Sequence, residues 1–133
     1  MGAKIIVRGL GLGVLALLLN VLVAFAWVLF YSVAIAPGHD GGFYQAYAQR
    51  VAPLSAILAG APILFGAGWL AARGPRPNRA ALLPAGAYMA LDLVLIGIGG
   101  VWPPLWALAA SYLTKFAASY AGGRLAPRQA LLQ

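Results

Sequence analysis

Two long stretches of the sequence contain no Asp, Glu, Lys or Arg, and they constrain the fold more than any other feature. The first runs from Gly9 to Gly38 and the second from Val51 to Ala72. A helix needs about 20 apolar residues to cross roughly 30 Å of hydrocarbon, so each stretch is long enough to span a membrane. Only 8% of the residues are charged, against about 25% in ordinary soluble domains. We therefore expect an integral membrane protein.

A third apolar run, residues 80–114, contains Asp92 as its only charged side chain. At about 1.5 Å per residue it would form a rod of roughly 52 Å, which is too long for one crossing. The segment from Gly97 to Pro104 breaks it, because consecutive prolines remove hydrogen-bond donors and glycines permit a tight turn. The sequence thus predicts one all-α domain, a bundle of four transmembrane helices at about residues 8–35, 52–72, 80–98 and 103–122. Pro62 predicts a kink in the second span.

The basic residues favour one orientation of these four spans. With four crossings, only Arg50 lies on one side, and the other side carries Lys4, Arg8, Arg73, Arg76, Arg79, Arg124 and Arg128. Cytoplasmic loops carry the excess of Lys and Arg, so both termini are predicted to be cytoplasmic. Topology thus accounts for the net charge of +7, and we expect membrane lipid rather than nucleic acid as a partner. Abundant Arg and Ala favour a bacterial cytoplasmic (inner) membrane.

Asp92 is the candidate functional residue, since an ionisable group inside a membrane is costly and usually functional. It lies about 12 residues into the third span, roughly 18 Å deep and hence near the midplane. Asn20 is at a similar depth in the first span, Tyr88 shares a helix face with Asp92, and Lys115 lies within the fourth span. These four residues form the predicted intramembrane polar site.

The sequence leaves two states open for Asp92. If Lys115 reaches it, the two form a structural ion pair within the bundle. If Lys115 does not reach it, apolar surroundings favour the protonated carboxyl, which could load and release a proton.

The external loop, residues 36–51, is the other place with concentrated polar chemistry. A short interfacial helix is expected at residues 43–50, with Tyr44 and Tyr47 facing the lipid headgroups. His39 beside Asp40 is a weak catalytic signal, because no Ser or Cys nucleophile accompanies the pair. We expect aromatic anchoring here, with a ligand or partner surface as the alternative.

The residue inventory excludes several chemistries. Cys and Glu are absent and there is one His, so disulfides, iron–sulfur clusters and bis-His haem are ruled out. We expect no cofactor, no metal site and no enzymatic activity. A small transporter or channel-like protein, acting as a homo-oligomer and proton-linked through Asp92, is the first hypothesis. An accessory or assembly subunit of a larger membrane complex is the alternative, with the small-residue faces of spans one and four as docking surfaces.

Overall fold

The computed structural model describes residues 1–127, and 84% of these residues are helical, with no strand among them. Five α-helices account for most of the described chain: α1 (Ala3–Phe30), α2 (Gly41–Leu58), α3 (Gly60–Ala72), α4 (Leu82–Gly99) and α5 (Leu105–Leu125). A π-helical turn, Tyr31–Ile35, extends α1, and a 3-10 turn, Asn78–Ala81, precedes α4. The prediction of an all-α fold is confirmed.

Three helical segments of the described chain are long and apolar enough to cross a membrane: Ala3–Ile35, Gly41–Ala72 and Asn78–Gly99. The prediction of a membrane protein rests on these three. Helix α5 has 21 residues but is not among them, because polar side chains interrupt its apolar sequence. Arg128, which was assigned to the cytoplasmic side, lies outside the described residues.

The connection between the first two spans is shorter than the sequence suggested. Residues 43–50 belong to the first half of α2, which continues to Leu58, so only residues 36–40 lie between helical segments. Asp40 fixes the start of α2, since its Oδ1 accepts a hydrogen bond from the backbone N–H of Phe43 at 2.9 Å. This is the usual role of an N-cap aspartate, which satisfies a donor left free in the first turn.

The Asp40 cap leads to a modest stability prediction. Replacing Asp40 with Ala should destabilise the protein by about 1 kcal/mol, because the Phe43 N–H loses its acceptor. Thermal unfolding of the purified protein in detergent measures the loss. Asp40→Asn is the matched control and should retain most of the stability, since an amide oxygen also caps; an equal loss in both variants would contradict the capping role.

The second spanning segment is interrupted at Ala59, between α2 and α3. Pro62 has no N–H to donate to the carbonyl of Leu58, so the regular i to i−4 pattern fails at this point. Bonding continues on either side, from Ala59 N to Ser55 O at 2.9 Å and from Ile63 N to Ala59 O at 3.4 Å. The segment therefore consists of two helices joined at a proline-dependent break.

Glycines allow the helices to approach one another closely. Gly9 and Gly13 of α1 lie against Leu83 and Ala87 of α4, so these two helices run in the same direction. Helix α3 meets α5 in the same way, with Gly60 against Lys115 and Gly68 against Ser119. Gly122 of α5 completes this seam against the backbone of Phe65. Small residues at such interfaces let backbones pack tightly, as expected for helices in a membrane.

The two halves of the second spanning segment pack very differently. Helix α3 has six buried residues, whereas α2 has none. The bundle is thus tightly packed around α3 and looser around α2. The break at Ala59 separates the two regions.

Candidate functional site

Six polar side chains meet between α1, α4 and α5. Four of them were predicted from the sequence: Asn20, Tyr88, Asp92 and Lys115. The structure adds Ser111 and Tyr112, both from α5. Asn20, Tyr88, Ser111 and Lys115 are buried, whereas Asp92 and Tyr112 are partly accessible.

Asn20 and Tyr88 lie at the same level of the bundle and are hydrogen bonded. The Nδ2 of Asn20 donates to the Tyr88 Oη at 2.5 Å. The Oδ1 of Asn20 is buried and has no hydrogen-bond partner among the described residues. The hydrogen bond to Tyr88 therefore satisfies only the donor side of this amide. A buried polar atom without a partner costs free energy.

Lys115 is the most buried charged residue of the described chain, with 2% of its surface exposed. Its Nζ donates a hydrogen bond to the Ser111 Oγ and lies 4.6 Å from the centroid of the Tyr88 ring. The Tyr112 ring is 5.8 Å away on another side. Gly60 makes room for the aliphatic stem, since a Cβ at Gly60 would come within 2.5 Å of the Lys115 Cε. Aromatic faces and one hydroxyl therefore surround the ammonium group.

The burial of Lys115 predicts that its stem matters more to stability than its charge. Lys115→Met should fold with nearly unchanged stability, because Met fills a similar volume and removes a charge that is costly inside a bundle. Lys115→Ala should be less stable than Lys115→Met by about 2 kcal/mol, because it leaves a cavity beside Gly60. Thermal unfolding in detergent compares the two variants. Equal destabilisation by both would mean that the ammonium group itself holds the bundle together.

Asp92 and Lys115 both lie in the described part of the chain, and they do not form an ion pair. Instead, its Oδ2 accepts a hydrogen bond from the Tyr112 Oη at 2.8 Å. No described residue donates a hydrogen bond to the Oδ1. The geometry therefore lacks the ion pair with Lys115 that was one of the two states left open by the sequence, and it binds the carboxyl group to a phenol instead.

A cavity of about 370 Å³ adjoins this carboxyl group. Helices α2, α4 and α5 and the loop at residues 101–104 form its walls. Its polar lining residues are Gln49, Asp92 and Ser111, and its apolar ones are Ala52, Pro53, Ala56, Ile96, Val101, Trp102, Pro103, Pro104, Ala107 and Leu108. Along their helices, Ala56, Asp92 and Ser111 lie farthest from the loop. We call this cavity the vestibule.

The predicted loop residues lie apart from the polar cluster and join α1 to α2. The Tyr44 Oη donates to the carbonyl of Ala36 at 2.7 Å and accepts from the backbone N–H of His39 at 3.2 Å. Tyr47 stacks on Tyr31 with ring centroids 3.6 Å apart. Both tyrosines therefore contact the chain itself, although headgroup contacts were expected of them.

His39 and Asp40 also have separate structural contacts. The His39 ring stacks on Phe43 with centroids 4.0 Å apart, and the Asp40 carboxylate caps α2. The weak catalytic signal of this pair thus gains no support from the geometry. No cluster of three metal-ligating side chains occurs among residues 1–127.

Sequence reasoning missed Ser111 and Tyr112 as members of the site. The signal was their spacing from Lys115, because residues three and four positions apart lie on the same side of a helix. That spacing places Ser111 and Tyr112 near Lys115. It does not reveal that Tyr112 turns its hydroxyl toward Asp92.

Comparison of the chain with protein-family models, with curated proteins and with solved structures gave no match. The geometry of the site therefore carries the functional argument.

Proposed function

We propose that the protein is a small integral membrane transporter with four spanning helices and both termini in the cytoplasm. In this proposal Asp92 binds the transported species within the membrane, and the vestibule leads to it from the outside. The observation that carries the proposal is that Asp92, whose Oδ1 accepts a hydrogen bond from no described residue, lines a cavity that is otherwise mainly apolar. A carboxylate at that depth is costly and needs a functional reason.

The side-chain distribution on α5 supports a fourth span. Its outward residues before the last turn are apolar or aromatic, and they include Leu105, Trp106, Ala109, Leu113 and Ala117. Its polar side chains Ser111, Lys115 and Ser119 are buried. This arrangement suits a helix surrounded by lipid, because only the protein interior can satisfy polar groups in a membrane. Helix α5 also runs in the same direction as α3, as alternating spans require.

The distribution of charge supports the orientation. Arg8, near the start of α1, donates a hydrogen bond to the carbonyl of Leu70, near the end of α3, at 3.1 Å. These two helix ends therefore lie at the same end of the bundle. The helix directions bring Lys4, Arg73, Arg76, Arg79 and Arg124 to that end, and Arg50 to the opposite one. By the positive-inside rule the basic end is cytoplasmic, so the vestibule opens outward.

The environment of Asp92 supports a proton-linked mechanism. The titratable groups around it are Tyr112 and Lys115 of α5 and Tyr88 of its own helix, and the part of α2 that lines the vestibule contributes none. Because no direct ion pair with Lys115 occupies the carboxyl group, a proton and a ligand can compete for it. Such competition for one intramembrane carboxylate is a simple basis for coupling.

The break at Ala59 supports controlled access to Asp92. Helix α2 forms one wall of the vestibule, has no buried residue and is joined to the tightly packed α3 at this break. Movement of α2 about Ala59 would widen or narrow the vestibule without disturbing the α3–α5 seam. Hinges are commonly a few residues at the ends of helices.

An accessory or assembly subunit of a larger membrane complex remains the alternative proposal. It relied on the small-residue faces of the first and fourth spans as docking surfaces. In the structure Gly9 and Gly13 lie against α4, and Gly122 lies against α3, so these faces are used within the chain. The vestibule also lies within one chain, and binding to Asp92 therefore does not require a homo-oligomer.

Cysteine labelling tests the vestibule and its orientation, because the natural chain has no Cys. Cysteines introduced as Ala56→Cys and Leu108→Cys should react with a charged, membrane-impermeant thiol reagent added outside intact cells. Leu113→Cys should not react, although Leu113 is 71% exposed, because it would face lipid. Absence of labelling at both vestibule positions, or labelling from the cytoplasmic side only, would contradict the proposal.

A further inference from the structure

We infer that the ligand of the vestibule is a small organic cation, an amine or quaternary ammonium compound with apolar substituents, and that Asp92 is its counter-ion. The inference rests on the proposed function and specifies its substrate class. Four features of the vestibule carry it: its charge, its lining, its size and its aromatic loop.

The charge of the vestibule favours a cation. The chain has only two acidic side chains, Asp40 and Asp92, and Asp40 is engaged in capping α2. One oxygen of Asp92 accepts from Tyr112, and the other accepts from no described residue. A positively charged group in the vestibule would supply the missing partner and form a charge-assisted contact.

The lining favours an organic ligand over an inorganic ion. Of the residues that form the walls, only Gln49, Asp92 and Ser111 carry side-chain oxygen atoms. A Ca²⁺ ion takes six to eight oxygen ligands and Mg²⁺ keeps a near-octahedral shell, and the side chains of these walls supply too few oxygens for either. An apolar body attached to an ammonium group matches the walls better, since it buries hydrocarbon against hydrocarbon.

The volume of the vestibule and the aromatic residue in its loop restrict the class of ligand further. At about 370 Å³ the vestibule is near the lower limit of ligand pockets, which begin at about 300 Å³. The ligand is therefore small. Trp102 in the loop at residues 101–104 lines the same cavity and is largely exposed. Trp provides the most favourable aromatic face for an ammonium group, so Trp102 is suited to contact the cation as it enters.

Lys115 opposes cation binding but does not prevent it. Its Nζ is directed to the Ser111 Oγ and lies over the Tyr88 ring, and it makes no ion pair with Asp92 in the described chain. Removing this positive charge should increase the affinity for a cation. Lys115→Met, which retains the stem, is therefore expected to bind an organic cation more tightly than the natural protein.

Protection of a vestibule cysteine from labelling tests the inference in the full-length protein. Three probes of nearly equal shape are compared: choline, the neutral 3,3-dimethylbutan-1-ol and the anionic 3,3-dimethylbutanoate. Choline should slow the labelling of Ala56→Cys at a concentration about tenfold lower than the neutral analogue needs, and the anion should give no protection. In the Asp92→Asn background the preference for choline should disappear, and Lys115→Met should strengthen it.

The outcomes separate this inference from the proposed function. If Ala56→Cys and Leu108→Cys are labelled but choline protects no better than its neutral analogue, the organic-cation inference is overturned and the vestibule stands. Better protection by the anion would also overturn it and would point to Lys115 as the binding group. If neither cysteine is labelled from outside, the proposed function itself fails. Persistence of the preference in Asp92→Asn would remove Asp92 as the counter-ion.

Discussion

Asp92→Asn is expected to abolish the preference for a cationic ligand and proton-linked transport while leaving the protein folded. Asn has nearly the same shape as Asp, and its amide oxygen can still accept the hydrogen bond that the Tyr112 Oη donates at 2.8 Å. The helix packing around α4 should therefore persist. What is lost is the negative charge and the ability to exchange a proton, both of which the proposed mechanism requires.

The measurement uses purified protein reconstituted in liposomes that contain a trapped pH-sensitive dye. An imposed choline gradient should drive proton movement with the natural protein and give none above background with Asp92→Asn. Asp40→Asn is the matched control, because it neutralises the only other acidic side chain and keeps the cap of α2. A variant at Asp92 that lost thermal stability but kept proton movement would assign the residue a structural role only.

A large loss of stability is expected from a substitution at the seam between α3 and α5. A methyl group added at Gly122 would overlap the carbonyl oxygen of Phe65 and approach the backbone nitrogen of Trp69. Because both atoms belong to the backbone of α3, no side-chain rotation can relieve the overlap. Gly122→Ala should therefore destabilise the protein by about 3 kcal/mol or more, at the upper end of overpacking costs.

Gly66→Ala is the control on the facing helix, because nothing lies within 4 Å of a Cβ added there. This substitution should be neutral or stabilising by up to about 1 kcal/mol, since Ala favours a helix over Gly. Thermal unfolding in detergent compares the two variants under identical conditions. If Gly122→Ala were as stable as Gly66→Ala, the close approach of α3 and α5 would be disproved.

The helical fold could be predicted because apolar length and charge position are readable without knowledge of packing. The charge-free stretches predict spanning segments, and Pro62 predicts the break that the structure has at Ala59. The start of α2 at Gly41 was harder to predict. Residues 43–50 were expected to form a separate interfacial helix, but the helix that Asp40 caps continues through them to Leu58.

The membership of the polar site was only partly predictable, for a geometric reason. Depth along a helix follows from counting residues, and counting predicted that Asn20 and Asp92 lie at a similar level. In the structure Asn20 is hydrogen bonded to Tyr88, one helical turn before Asp92. The direction of a side chain depends on the rotation of each helix against its neighbours, which counting does not supply. The sequence could not decide whether Lys115 reaches Asp92. In the structure the Lys115 stem lies against Gly60 and its Nζ binds Ser111 over the Tyr88 ring, whereas Asp92 accepts from Tyr112.

Infrared difference spectroscopy tests most directly whether the Asp92 carboxyl group binds the ligand of the vestibule. Because the chain has two acidic side chains, carboxyl bands can be assigned with two variants. Addition of choline to the natural protein should change a carboxyl band, and the change should depend on pH because a proton and the ligand compete. The band should persist in Asp40→Asn and vanish in Asp92→Asn. A ligand-induced spectrum without a carboxyl band, or one that Asp92→Asn leaves unaltered, would contradict the account.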